Sequence, residues 1–137
     1  MATVSLLTDD QLSPEAAKVF AEIRAARGTD YVNDFWRALA HDPVTLRATW
    51  DRLRAVMAPG ALDPLVKEMV YLAVSTANGC SYCIHSHSAA AKAKGMTPSM
   101  HGELLAVIGM AMQTNGLVTA LGVAPDAAFI VGTPPKD

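Results

Sequence analysis

Apolar residues recur at helical rather than strand spacing along most of this chain, and polar punctuation divides them into six runs. The first predicted helix covers Pro14 to Arg27 and ends at Gly28, with Val19, Phe20, Ile23 and Ala26 towards one side. A second covers about Tyr31 to Ala40. A third runs from Pro43 to Met57, with Leu46, Trp50, Leu53 and Met57 in a stripe, and is broken by Ala58-Pro59-Gly60. The fourth, Pro64 to about Thr76, places Leu65, Met69 and Leu72 on one side and stops at Asn78-Gly79. The fifth starts near Cys80 and ends at Lys94-Gly95. The sixth runs from Pro98 towards Leu117 or beyond, with Gly109 and Gly116 as points where it could bend or split.

The helix starts carry their own signal. Ser13-Pro14, Asp42-Pro43, Asp63-Pro64 and Thr97-Pro98 each set a capping oxygen before a proline, which has no amide to leave unpaired. Four such pairs argue for an all-α fold. Val4-Ser5-Leu6-Leu7 is strand-like but short and without a partner. With no repeat or linker, the 137 residues read as a single domain whose core spans about residues 51–116. The tail from Gly132 to Asp137 reads as frayed.

Composition changes this picture in one respect. Apolar residues make up 51% of the chain and charged residues 18%. A domain this small has too much surface to hide that much apolar area alone, so a homo-oligomer is expected. A net charge of −2 and the lack of a basic block speak against nucleic acid. Apolar stretches such as Leu104 to Met112 read as too short for a bilayer, and the N-terminus shows no signal peptide. A cytoplasmic location follows as the expectation.

The candidate chemistry lies at the fifth helix. Cys80 and Cys83 are the only cysteines, in a C-x-x-C pair, and His87 follows four residues later. With Cys80 at the helix mouth, the three fall on one face. Free amides and the positive dipole end there favour a thiolate, and an imidazole one turn on can manage its proton. Glu68, twelve residues before Cys80, would reach the level of His87 if the fourth and fifth helices form a hairpin about Asn78-Gly79. There it could orient the ring. His85 points to another face and reads as an interface or pocket-rim residue. A zinc site built from Cys80, Cys83, His87 and Glu68 is a weaker reading, because one C-x-x-C on a single helix face suits a tetrahedron poorly. Neither a metal nor a cofactor is expected.

Glu68, an eleven-residue gap, Cys80-x-x-Cys83, a three-residue gap and His87 resemble the signature of the AhpD-like alkylhydroperoxidases of the carboxymuconolactone decarboxylase superfamily. The resemblance implies an all-α domain that assembles into dimers, trimers or hexamers. It implies a thiol-dependent peroxidase in which Cys83 attacks a small peroxide and Cys80 closes the disulfide. Glu68 and His87 would form the proton relay, and a dithiol reductant, such as a lipoyl-type protein, would reopen the disulfide. The best-known members carry a histidine just before the second cysteine; here Tyr82 stands there, a phenol and a poor base at neutral pH. The superfamily's name also suggests a lyase acting on a small lactone acid, which would need a base and a cation but no thiol pair. A redox-sensing oligomer without turnover is a further alternative.

Overall fold

The computed structural model describes residues 2–130, and the tail from Gly132 to Asp137 lies outside them. Six α-helices make up the described fold: α1 (Pro14–Arg27), α2 (Asp34–Leu39), α3 (Pro43–Met57), α4 (Pro64–Ala77), α5 (Ser81–Ala93) and α6 (Pro98–Leu121). Short 3₁₀ turns, Asp9–Gln11 and Ala127–Phe129, flank them, and no strand occurs among the described residues. All four proline-marked starts are capped as their chemistry requires. Ser13, Asp42, Asp63 and Thr97 accept backbone N–H groups of the first turn of α1, α3, α4 and α6.

The chain forms two compact units that meet in sequence at Ala58–Pro59. The first holds α1, α2 and α3. Its core is Val19, Phe20 and Ile23 from α1, Trp36 from α2 and Leu46 and Trp50 from α3, closed by Val32 and Ala40. Trp36 and Trp50 meet edge to face, with ring centroids 5.6 Å apart. The α2 helix is shorter than the expected Tyr31–Ala40. Asn33 adopts extended backbone and its carbonyl accepts from Trp36 and Arg37, so the helix begins only after it. Val4–Leu7 forms no strand; the Leu7 amide donates to the Arg37 carbonyl instead.

The second unit holds α4, α5 and α6. Its buried stripe on α4 is Glu68, Leu72 and Ser75, while Leu65 and Met69 are only half-buried. The face read from apolar residues alone is thus rotated towards two polar side chains. Ser75 meets its needs locally, its hydroxyl donating to the Tyr71 carbonyl at 2.7 Å.

Two chain reversals in this unit have the same build. At the end of α4, Gly79 takes a left-handed φ of 66°, its amide donates to Thr76, and the Cys80 amide donates to Ser75. At the end of α5, Gly95 takes φ 98°, its amide donates to Lys92, and the Met96 amide donates to Ala91. Both are Schellman caps, which need a residue free to adopt positive φ.

The α6 helix does not break at its glycines. It runs unbroken for 24 residues to Leu121 and a left-handed Gly122. Strong helix formers (Leu104, Leu105, Ala106, Met110, Ala111, Met112) surround Gly109, and a glycine costs only about 1 kcal/mol in such a setting. Continuity also corrects the expectation about length: by length and composition alone this helix could cross a bilayer. Leu105, Val107, Met110, Leu117 and Leu121 are exposed along it.

Candidate active site at the mouth of helix α5

The Schellman cap that ends α4 also starts α5. Its last residue, Cys80, is the N-cap of α5: the Cys80 carbonyl accepts from Ile84, and its sulfur accepts from the Cys83 amide at 3.3 Å. Cys80 and Cys83 are joined by a disulfide with Cα atoms 5.3 Å apart. Both sulfurs therefore sit in the first turn, where unpaired amides and the helix dipole favour negative charge on whichever sulfur is released by reduction.

One turn on, His87 faces α4. Its Nδ1 lies 2.7 Å from Oε2 of Glu68, whose side chain is only 7% exposed. The other carboxylate oxygen, Oε1, accepts from the Lys94 ammonium at 2.8 Å. Each oxygen of the buried carboxylate thus has its own nitrogen partner, which is what a charge removed from water requires. Tyr71, one turn along α4 from Glu68, stacks on the His87 ring with centroids 3.6 Å apart and planes 18° from parallel. With Nδ1 donating to a carboxylate, Nε2 is the nitrogen left with a lone pair for proton transfer.

Cys80, Cys83, His87 and Glu68 are thus gathered in one hairpin. Tyr82 lies between them in sequence but is 46% exposed on α5. His85 turns to its own helix, with Nδ1 2.8 Å from the Ser81 carbonyl. Among the described residues no three His, Cys, Asp or Glu side chains are placed to hold a metal.

Two members of the cluster escape a motif reading. Lys94 looks like an ordinary basic residue in a last helical turn. Its signal was its register: it lies seven residues after His87 and fourteen after Cys80, hence on the same face of α5. Tyr71 lies three residues after Glu68 and so shares its side of α4.

Comparison with known proteins places this hairpin in a family. Residues 43–126 match the model of the carboxymuconolactone decarboxylase family. Over 76 residues the chain is 38% identical to an alkyl hydroperoxide reductase AhpD from Solibacter usitatus, a match covering 55% of this chain and 41% of that relative. The chain therefore spans about two fifths of that relative's length. The crystal structure of an alkylhydroperoxidase AhpD core from Rhodospirillum rubrum superposes with a TM-score of 0.92 at 60% identity, covering 96% of this chain and 98% of the other. An all-α fold, the signature residues and a family match over more than half the sequence agree: this chain belongs to the carboxymuconolactone decarboxylase family and is AhpD-like within it.

Proposed function

We propose that the protein is a thiol-dependent peroxidase that cycles Cys80 and Cys83 between dithiol and disulfide. The observation that carries this reading is the Cys80–Cys83 disulfide at the α5 mouth, with the Glu68–His87 hydrogen bond one turn away on the same face. In the reduced protein His87 takes the Cys83 proton through Nε2, and Glu68 steadies the imidazolium that forms. The Cys83 thiolate attacks one peroxide oxygen. The O–O bond breaks, Cys83 becomes a sulfenic acid, and the departing alkoxide takes a proton and leaves as an alcohol. The Cys80 thiol then attacks the sulfenic sulfur, the S–S bond forms and water leaves. An external dithiol returns the two electrons by exchange and is itself oxidised to a disulfide. A lipoyl-type protein has the chemistry for that role, and a reducing cytoplasm would sustain it. Tyr82 is a pocket-wall residue in this scheme rather than a base.

The AhpD names of the two relatives support the reaction class. A lyase working on a lactone acid would have no use for the thiol pair, and Lys94, the cation beside the site, is already ion-paired to Glu68.

The second unit offers few large buried side chains, Leu72 and Ile108 among them, while α6 exposes a row of apolar ones. A second copy of the chain packed on α6 would cover that row, so the working form in this reading is a homo-oligomer.

The test is peroxide consumption with an excess of dithiol. Cys83→Ser should lose all turnover. Undiminished turnover in that variant would overturn the proposal.

A further inference from the structure

Glu68 has two cationic or potentially cationic partners, and only one of them belongs to the proton relay. Its carboxylate is buried; Oε2 meets His87 and Oε1 meets Lys94. Lys94 is the C-cap residue of α5, fixed at backbone level by the Schellman cap through Gly95 and Met96. It lies two turns beyond His87 on the same face, and helical side chains lean towards the N-terminus. The long lysine side chain therefore reaches back along α5 to the carboxylate. Its side chain is 39% exposed, so the ammonium keeps some contact with water while ion-paired to the buried oxygen.

We propose that Lys94 is a positioning residue of the dithiol site: it holds Oε1 of Glu68, so that Oε2 is aimed at Nδ1 of His87 and Nε2 is left as the ring nitrogen that can accept a thiol proton. The inference deepens the peroxidase reading and rests on it. A buried carboxylate needs a positive partner. If His87 were the sole partner, Oε1 would be buried without a donor and the carboxylate would be free to turn, taking Oε2 off Nδ1. With Lys94 present, Glu68 stays compensated whether His87 is neutral or protonated.

The His87 ring meets Glu68 at Nδ1 and Tyr71 on its face, both from α4. From the end of α5 comes Lys94, ion-paired to the same carboxylate. The α6 helix, packed against α4, carries His101 and Glu103; neither makes an ion pair or hydrogen bond with Glu68 or His87 among the described residues.

The experiment reads the His87 ring by ¹⁵N NMR in the full chain, in Lys94→Met, Lys94→Ala and Lys94→Arg, beside peroxide turnover. Lys94→Met and Lys94→Ala remove the donor to Oε1, by a side chain of similar length and by a short one, so that loss of fold in one does not remove the test; Lys94→Arg keeps a donor. In the parent chain the ring nitrogen shifts should show a proton held on Nδ1; in Lys94→Met and Lys94→Ala they should show a mixture of the two tautomers, and kcat should fall about tenfold, as for a weakened acid–base element. Lys94→Arg should restore both. A ring spectrum like the parent's in Lys94→Met and Lys94→Ala would overturn the proposal, whatever their melting temperatures. The ring spectrum needs no turnover, so it stays separate from the dithiol reading, which falls only if Cys83→Ser remains active.

Discussion

Glu68 and His87 are nineteen residues apart in sequence and 2.7 Å apart across the α4–α5 hairpin. The tight Asn78-Gly79 turn sets the pairing of the two helices, and the pairing sets the tautomer of the ring. Glu68→Gln tests this relationship sharply. An amide has one accepting and one donating end, whereas His87 and Lys94 both donate to the carboxylate. Either orientation of glutamine leaves two donors facing each other. We expect turnover to fall about 10²-fold, within the range of a lost acid–base element, and stability to fall by about 1–3 kcal/mol for the mispaired buried group. Steady-state rates and urea unfolding read the two effects separately. Full activity in this variant would show that the carboxylate is not needed.

The turn itself is the next target. Gly79 has φ 66°, and no heavy atom beyond its chain neighbours lies within 4 Å of the place a Cβ would occupy, so alanine there would meet no tertiary clash and would feel the backbone strain. Gly79→Ala should cost about 1–2 kcal/mol of stability, seen as a lower urea midpoint. A midpoint equal to that of the parent chain would mean that the α4 cap tolerates another geometry.

Acid should weaken the first unit. The Arg24 guanidinium bonded to Asp9 holds that carboxyl below its usual range, helped by Arg37. Glu22 is lowered by its hydrogen bond from Arg47, and Asp42 by the Thr45 hydroxyl and the backbone amides it caps. Groups depressed in the folded state contribute stability above their unfolded pKa values, near ~4, and lose it as pH falls through the lower folded values. The urea midpoint should therefore be level from neutral pH to about pH 5 and decline below about pH 4. Trp36 and Trp50, the only tryptophans and both in this core, report it by fluorescence. A midpoint constant down to about pH 3 would contradict the linkage.

The apolar row on α6 makes a prediction about assembly. Leu117→Glu with Leu121→Glu should raise the monomer fraction in sedimentation at micromolar protein, because a buried unpaired carboxylate is costly at an interface. A parent chain that sediments as a monomer at those concentrations would remove the oligomer from the account.

Much of this was legible in the residues themselves. Helix starts announced themselves because a capping oxygen followed by proline has few other uses, and Ser13, Asp42, Asp63 and Thr97 all cap as written. Cys80, Cys83 and His87 share a face because they share one helix, so local spacing sufficed. Glu68 required a guess about a tight turn, which Gly79 made physically reasonable. Lys94 stayed hidden because its role depends on where α5 ends and on how far a flexible side chain reaches. The α4 face was misjudged for a related reason: its buried stripe includes Glu68 and Ser75, and the partners of Glu68 become visible only when α5 is in place. The unbroken α6 shows neighbouring residues outweighing two glycines.

The most direct test of the dithiol account is a single-turnover experiment on the fully reduced protein, mixing it with one equivalent of peroxide and counting peroxide and free thiols together. The account predicts that each chain consumes one peroxide and loses both thiols, with Cys80 and Cys83 recovered as a disulfide by peptide mass mapping. Peroxide that persists while both thiols remain free, or disappears without their loss, would contradict it.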